Sequence, residues 1–305
     1  MVGDSKTDDL AWSNFEDRSI HYLSLSHQRS LFPEFSELLG SRTYARKNIG
    51  YLYAAKNGAE EIFDTDDDTF LRAEAQEFFS NLSEIRYFIA SQGDYFNPYS
   101  FFQPSSGLWP RGYPLRKVAT DRFQINSEHN LEETKEILKF DILQTLVNLE
   151  PDVDSIYRMT VGDKTLDFPV TNEIVFISKP LVTPANTQST FWKSRDKFEY
   201  LYVPRWVSFR FSDILKMYVA QHFATIAYAG FWTEQVRNPH DYMVDFESEV
   251  DCFVNTEKVV KMLHGEQFES LTTIYSALVD LGVCTRDEIV LASMFSELMR
   301  SVINE

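Results

Sequence analysis

Apolar and polar positions follow two periodicities in turn along most of this chain. One segment with helical spacing is Tyr44–Lys56, where Ile49 and Leu52 fall on the same face. The short apolar run Ile62–Phe63 follows it and leads directly into a group of acidic residues. Strand-like runs and helical stretches in alternation are typical of α/β proteins. The pattern therefore predicts a sheet flanked by helices.

Further helices and strands are predicted by the same periodicities. Leu138, Ile142 and Leu146 are spaced four apart, which predicts a long helix over Leu131–Leu149. Short β-branched runs predict strands at Ile20–Leu25, Ile156–Thr160, Ile174–Ser178 and Thr225–Tyr228. Other helices are predicted over Arg72–Phe79, from Ser212 or Asp213 to about Phe223, and from Thr256 onward, with a capping box at Thr285 and Glu288.

The chain divides by this pattern into a larger and a smaller part. The sequence contains no repeats, no low-complexity tracts and no evident linker. Its last segment is helical in periodicity throughout. We therefore expect one α/β domain over residues 1–253 and a helical C-terminal appendage over residues 254–305.

Composition narrows the classes of partner. The net charge of −17 argues against nucleic acid or an anionic membrane as the main partner. No run approaches the roughly 20 apolar residues of a transmembrane helix, so no span is expected within this chain. The aromatic content of 15% suits a groove that stacks on sugars. Cys252 and Cys284 could pair, but they look like reduced or buried thiols.

Four carboxylates lie within five residues after the run Ile62–Phe63, namely Asp64, Asp66, Asp67 and Asp68. These carboxylates repel one another unless a cation compensates their charge. Mg²⁺ and Mn²⁺ prefer oxygen ligands and are often held by one or two carboxylates together with substrate phosphates. Ligands of open α/β sheets also bind beyond the carboxyl ends of strands. The cluster therefore predicts a metal and nucleotide site.

Other interpretations of the acidic cluster compete with a metal site. The simplest is a solvated acidic loop. An EF-hand calcium loop is excluded, because Thr69 and Ala75 stand where glycine and glutamate are required. A phosphohydrolase of the haloacid dehalogenase type fits the D-x-D that begins at Asp64, with Asp163 and Asp167 as later partners. That motif requires Thr or Val at the position of Asp68, so the phosphohydrolase interpretation is the weaker one.

Several segments resemble one protein family in the same order along the chain. The first two are VGDSKT at Val2–Thr7 and the run from Tyr44 to Asp68. The later ones are WPRGYPL, EPDVDSIYRMT, PANTQSTFW, FRFSDILKMYVAQ and VRNPHDYMVDFESE. Together they resemble the STELLO-like glycosyltransferase family over roughly residues 2–253. WPRGYPL and EPDVDSIYRMT are also similar to the reversibly glycosylated polypeptides, which are UDP-arabinopyranose mutases.

The resemblance implies a fold and an activity. The implied fold is α/β and GT-A-like, a Rossmann-like mixed sheet flanked by helices. The implied activity is metal-dependent transfer of a sugar from a nucleotide sugar, most commonly a UDP sugar, to a glycan or protein acceptor. The implied cofactor is Mn²⁺ or Mg²⁺ at the D-x-D motif. Polysaccharide synthase complexes are the implied protein partners.

The resemblance also implies roles at the metal and nucleotide. The implied metal ligands are Asp66, Asp68 and His240. Asp64 and Asp67 are expected beside them, where they would support the ligands or contact the ribose. Residues expected to face the nucleotide or its phosphates are Lys47, Asn48, Arg111, Arg210 and Arg237. Each of these arginines could equally pair with one of the protein's many carboxylates.

Two further residues are implied in catalysis. Asp213 stands where inverting GT-A enzymes carry the base that deprotonates the acceptor hydroxyl, although it would equally serve as a helix N-cap. Arg158 matches the arginine of the mutase-like segment, and Asp152 and Asp154 are placed to orient it.

The sequence leaves two interpretations of function open. The complete acidic run, together with His240 and Asp213, favours an active enzyme. Met1 falls inside or just after the expected first strand, which favours a catalytically inactive homologue that acts as a scaffold for polysaccharide-synthesising machinery. The family resemblance implies the Golgi lumen if the chain is a fragment, and the cytoplasm is expected if Met1 is the true start.

Overall fold

A mixed sheet flanked by helices forms the centre of the molecule. The computed structural model describes residues 1–14, 20–72, 84–104, 107–121, 130–162, 166–236 and 241–304. The eight strands found there are β1 (Ile62–Thr65), β2 (Thr69–Leu71), β3 (Arg86–Ser91), β4 (Asn130–Thr134), β5 (Ile142–Asn148), β6 (Glu173–Ile177), β7 (Ser189–Trp192) and β8 (Ile226–Gln235). The predicted class, α/β with a GT-A-like architecture, is confirmed.

The helices connect and cover these strands. Their bounds are Asp9–Ser13, Leu25–Leu31, Pro33–Leu39, Lys47–Lys56, Pro98–Phe102, Leu115–Asp121, Ser155–Val161, Phe209–Phe223, Tyr242–Gly265, Leu271–Asp280 and Arg286–Asn304. Segments of 3-10 helix occupy Tyr44–Arg46 and Arg195–Leu201. Within the described ranges, no helix combines the length and the apolar character that crossing a bilayer requires.

Strand direction determines which side chains meet at each edge of the sheet. The strand order is β1-β7-β5-β8-β6-β3-β4, and β2 pairs with the end of β8. β5 and β8 are parallel, whereas β7 is antiparallel to both β1 and β5. The carboxyl ends of β1, β5 and β8 therefore lie at the same edge as the beginning of β7. Open α/β sheets bind their ligands at such an edge.

The hydrophobic core is continuous from the sheet to the C-terminal helices. β5 is buried along its whole length, and Ile142 and Leu146 belong to the same cluster as Leu278 and Phe295 from the last two helices. A smaller cluster that includes Leu143 covers the opposite face of the sheet. The helix Tyr242–Gly265 spans the predicted boundary between residues 253 and 254. The C-terminal helices thus share their core with the sheet, and the division into two parts stays a prediction.

Several predicted elements are confirmed. The predicted helix at 44–56 is a 3-10 turn followed by the helix Lys47–Lys56. The apolar run at Ile62 is β1, the run at Ile174 is β6, and the run at Thr225 begins β8, which is longer than predicted. The chain after Thr256 is mostly helical, as predicted.

Two predictions exchanged helix and strand, and both were wrong. The predicted helix Leu131–Leu149 is β4, a connecting segment and β5. Both faces of β5 are buried, so its apolar residues do not alternate with polar ones. Their spacing therefore resembles that of a helix. The predicted strand Ile156–Thr160 is the helix Ser155–Val161, because the side chain of Asp154 caps it by accepting from the N–H of Tyr157 at 2.7 Å.

Some predicted ends and caps also differ. The helix that contains Asp213 begins earlier, at Phe209 with Ser208 as its N-cap residue, so neither Ser212 nor Asp213 caps it. The predicted strand at residues 20–25 is reduced to a parallel bridge between Val2 and Leu23. The predicted helix Arg72–Phe79 falls largely on residues outside the described ranges.

The predicted capping box is also wrong. Glu288 is buried, and its carboxylate does not close on Thr285. It accepts instead from the hydroxyl of Tyr202 and from the N–H groups of Arg205 and Trp206. Both cysteines are free and buried, so the alternative of a disulfide is excluded.

Candidate active site

The acidic run lies at the sheet edge where β1, β5 and β8 end. Lys47, at the start of its helix, places its ammonium among four oxygens of this edge. Its Nζ lies 3.0 Å from Asp64 Oδ1 and 2.9 Å from Asp66 Oδ1. It also lies 3.2 Å from the carbonyl oxygen of Thr65 and 3.5 Å from that of Thr187. A lysine therefore supplies part of the positive charge that the acidic run requires.

A second, buried lysine compensates the negative charge of Asp64. Lys216 is completely buried, and its Nζ lies 3.1 Å from Asp64 Oδ2, which also accepts from the hydroxyl of Tyr51 at 2.5 Å. Burial alone would raise the pKa of Asp64, but Lys47 and Lys216 outweigh it and lower that pKa. Burial lowers the pKa of Lys216 to about 8, although Asp64 opposes the shift. Asp64 is thus an anchor of the loop.

Asp66 and Asp68 keep carboxylate oxygens that are not committed to other groups. Asp66 Oδ1 accepts from Lys47 and, at 3.0 Å, from the hydroxyl of Tyr44. Asp68 Oδ1 accepts from Gln235 Nε2 at 2.6 Å. Within the described ranges, the Oδ2 atoms of Asp66 and Asp68 have no hydrogen-bond partner. Burial raises the pKa of Asp66, and Lys47 opposes that shift.

This donor set fits a hard divalent cation in chemistry and in number. Mg²⁺ is usually held by one or two carboxylates, and substrate phosphates and water complete its shell. Asp66 Oδ2 and Asp68 Oδ2 can supply the two protein oxygens. No group of three His, Cys, Asp or Glu side chains placed to hold a metal occurs in the part of the chain that the structure describes. His240, the third predicted ligand, lies outside those residues, as does Arg237.

Arg111 organises a buried cluster of charges beside the acidic loop. Its guanidinium donates to both carboxylate oxygens of Asp152 at 2.8 Å, and to those of Asp213 at 2.9 and 2.8 Å. Desolvation would lower the pKa of Arg111, but the two aspartates raise it well above its ordinary value. Asp213 lies close enough to Tyr44 and Lys216 to act on both electrostatically, so the cluster adjoins the acidic loop.

Arg210 and Arg158 are also paired with carboxylates. Arg210 Nε donates to Glu249 Oε1 at 2.5 Å, and Glu249 in turn accepts from the N–H of Ser155 at 2.8 Å. Arg158 donates to Glu150 at 2.9 Å. These pairs hold the segments around the sheet edge together, and the pairing of Arg210 agrees with the alternative role that the sequence left open for it.

Not every predicted site residue faces the edge. Asn48 is completely buried, and its amide binds both the N–H and the carbonyl oxygen of Val203, at 2.7 and 2.8 Å. It therefore holds the loop after the Arg195–Leu201 segment rather than a nucleotide. Asp67 is exposed on the acidic loop, where it can reach a ligand.

Sequence reasoning missed several polar residues of the site. Tyr44 donates to Asp66 and is bonded to the hydroxyl of Thr187. Gln188 and Gln235 are buried between the acidic loop and β5. Lys216 is hidden in the apolar face of a helix. The only signal that could have found them was a polar residue at a position where the pattern requires an apolar one.

A cavity of about 570 Å³ opens beside the acidic loop. Its apolar lining residues include Val2, Ala54 and Ile62. Its charged lining residues include Lys47 and the acidic residues from Asp64 to Asp67. A cavity lined by both apolar and charged side chains suits a ligand with a flat base and an anionic tail.

The fold and this site define an α/β protein of GT-A-like architecture with an acidic ligand site at the carboxyl edge of its sheet. Comparison with known proteins agrees with that class. The chain is 28% identical over 268 residues to the probable glycosyltransferase STELLO2 of Arabidopsis thaliana, a match that covers 79% of this chain and 33% of that protein. It is 27% identical over 286 residues to the probable glycosyltransferase STELLO1 of the same plant, covering 88% of this chain and 36% of the relative.

These two similarities support the assignment of the chain to a STELLO-like family, and the resemblance inferred from its ordered segments is confirmed. The chain spans about a third of the length of the curated relatives that it matches. No family model matches the sequence.

Proposed function

We propose that the chain is a metal-dependent glycosyltransferase domain that binds a nucleotide sugar, a UDP sugar in particular, at the acidic loop. The observation that carries the proposal is the pair of uncommitted carboxylate oxygens on Asp66 and Asp68, together with a cavity of nucleotide size that Asp66 lines. Similarity to two probable glycosyltransferases supports it. The acceptor class and an association with polysaccharide-synthesising complexes stay predictions.

Each part of the site has a role in this proposal. The apolar side chains that line the cavity would hold the base, and the charged ones would face the ribose and the diphosphate. Asp66 and Asp68 would hold Mn²⁺ or Mg²⁺, which supplies Lewis-acid stabilisation of the charge on the departing nucleotide. Lys47 and Lys216 keep Asp64 and Asp66 in place before any ligand binds, so the site is preorganised.

An inactive homologue is the second candidate, and one observation favours it. Both carboxylate oxygens of Asp213 are engaged by Arg111. A general base must reach the acceptor hydroxyl, and both oxygens of this carboxylate are already bound to a guanidinium. Asp213 would then orient Arg111 instead of reacting. This candidate still binds a nucleotide sugar but transfers nothing.

The structure argues against the phosphohydrolase alternative. Such an enzyme attacks phosphate with the first aspartate of its D-x-D motif, which here is Asp64. The carboxylate of Asp64 is only 4% exposed and is held by two lysines and Tyr51. It therefore cannot approach a substrate as a nucleophile.

Calorimetry with a panel of nucleotide sugars, with and without Mn²⁺, tests the proposal. We expect one UDP sugar to bind when Mn²⁺ is present and to lose at least about tenfold in affinity when it is removed. Asp66→Ala and Asp68→Ala should abolish the metal-dependent part of binding, whereas Asp287→Ala, at an exposed position of the last helix, should not change it. Equal affinity in wild type, Asp66→Ala and Asp68→Ala would refute the metal assignment. Binding without product formation would select the inactive homologue.

A further inference from the structure

A series of side-chain amides connects the acidic loop to the buried ion pairs. Gln235, at the carboxyl end of β8, is 1% exposed. Its Nε2 donates to Asp68 Oδ1 at 2.6 Å, and its Oε1 accepts from Nε2 of Gln188. The backbone N–H of Gln188 donates to Asn186 Oδ1 at 2.9 Å, and Asn186 Nδ2 donates to Asp152 Oδ2 at 2.9 Å. We call Gln235, Gln188 and Asn186 the amide relay.

The ends of the amide relay determine the orientation of each amide. An ionised Asp68 only accepts hydrogen bonds, so Gln235 must present Nε2 to it and turn its oxygen towards Gln188. Gln188 must then donate, and the second hydrogen of its Nε2 goes to the carbonyl oxygen of Glu150 at 2.9 Å. Rotating either glutamine amide would leave a buried polar atom unpaired or place two oxygens together.

The relay also reaches the Arg111 cluster. Asp152 Oδ2, which accepts from Asn186, accepts from Arg111 as well, and Arg111 binds Asp213. Every member from Asp68 to Asp213 is therefore joined to the next by a hydrogen bond. Burying an amide costs free energy unless its polar atoms are paired, and an apolar side chain would fill position 235 at lower cost. Gln235 orients the carboxylate of Asp68, and this role explains why a glutamine is buried at position 235.

We infer that Gln235 and Gln188 are positioning residues that hold the carboxylate of Asp68 in the orientation that binds a divalent cation. The hydrogen bonds continue to the Arg111 cluster through the backbone N–H of Gln188 and the side chain of Asn186. The role at the cation rests on the proposed function. The restraint on Asp68 does not, because it follows from the hydrogen bonds alone.

Binding of Mn²⁺ alone to the full chain is the first test. Gln235→Met and Gln188→Met keep the length of the side chain and remove its hydrogen bonds. Each should weaken the affinity for Mn²⁺, followed by the electron paramagnetic resonance signal of the free ion, by about 10–100-fold. The double variant should be no weaker than the weaker single variant, because both act through the same bond to Asp68. If Gln235→Met fails to fold, Gln235→Asn replaces it, since the shorter amide does not reach Asp68.

Gln221→Met is the matched control. Gln221 is also buried, and its amide pairs with the backbone of Thr183 at 2.9 and 3.0 Å, away from the relay. Its loss should reduce stability and leave the affinity for Mn²⁺ unchanged. If wild type binds Mn²⁺ and the two relay variants bind it equally well, the inference is overturned and the proposed function stands.

Hydrogen exchange supplies a readout that needs no metal. The N–H of Thr69 donates to the carbonyl oxygen of Asp66 at 3.3 Å, and that of Val236 to the carbonyl oxygen of Asp68 at 3.2 Å. We expect both N–H groups to exchange about tenfold faster in Gln188→Met, although the side chain of residue 188 contacts neither of them. Their exchange should be unchanged in Gln221→Met. If wild type binds no Mn²⁺ but exchange rises in this way, the metal assignment fails and the restraint on Asp68 stands. If exchange is the same as in the control, the restraint is refuted.

Discussion

Lys47 shows how a single side chain decides the properties of the acidic loop. The mutual repulsion of the carboxylates predicts a compensating positive charge. Two lysine ammonium groups supply part of that charge. Lys47 and Lys216 are paired with Asp64 and Asp66, which leaves Asp67 and Asp68 without an ion-pair partner in the described residues. The two lysines therefore compensate part of the charge of the run, and the divalent cation proposed at Asp66 and Asp68 would compensate the rest.

Asp154 is a buried carboxyl whose titration should be visible in stability. It accepts from Trp109 Nε1 at 2.6 Å and from the N–H of Tyr157, and yet burial raises its pKa to about 7. The folded protein therefore binds more protons at this group than the unfolded chain does between about pH 4 and pH 7. The free energy of unfolding should fall as pH rises through that window, by up to about 1.4 kcal/mol per pH unit from this one group.

Asp154→Asn should remove that contribution, which denaturant titrations at several pH values would measure. Asp141→Asn is the control, because hydrogen bonds from Thr225 and Ser194 outweigh burial and lower the pKa of Asp141. Its contribution to stability is present above the unfolded pKa and is lost only below about pH 4. The slope between pH 4 and pH 7 should therefore persist in Asp141→Asn. An unchanged slope in Asp154→Asn would contradict the shift.

At the scale of elements, the position of each error has a physical cause. The pattern of β5 predicts part of a helix because a strand buried on both faces has no alternation of apolar and polar residues. The segment Ser155–Val161 reads as a strand because its β-branched residues outweigh the capping aspartate before it, yet it is a helix. By contrast, β1 and the helix Lys47–Lys56 were recognisable, since each has a clear period and a clear end.

The carboxylate of Glu288 joins the last helix to the loop that follows the Arg195–Leu201 segment. Glu288 is fully buried and accepts from Tyr202, Arg205 and Trp206. Glu288→Ala would leave two backbone N–H groups and a hydroxyl without partners, so it should lower the free energy of unfolding by about 2–4 kcal/mol. Glu297→Ala, on the exposed face of the same helix, should change it by no more than about 0.5 kcal/mol. Equal losses of unfolding free energy in Glu288→Ala and Glu297→Ala, measured by urea denaturation, would show that the hydrogen bonds of Glu288 do not stabilise the packing of this helix.

At the scale of the whole molecule, the site is assembled from segments that are far apart in sequence. The acidic loop follows β1, the amides come from the start of β7 and the end of β8, and Arg111 comes from a connecting segment. The sequence predicted the class of fold, the acidic loop and the family from local patterns. The sequence could not show which side chains pair with the carboxylates, because those pairings depend on strand order and direction.

The most direct test is the position of a bound metal in crystals grown with Mn²⁺ and UDP. Anomalous scattering at the manganese edge locates the ion without any assumption about activity. The proposal predicts one peak within about 2.1–2.3 Å of an oxygen of Asp66 and of Asp68, with the nucleotide in the adjoining cavity. A bound UDP with no manganese at the acidic loop, or manganese held only elsewhere, would contradict the central claim that these two carboxylates form a metal-dependent nucleotide site.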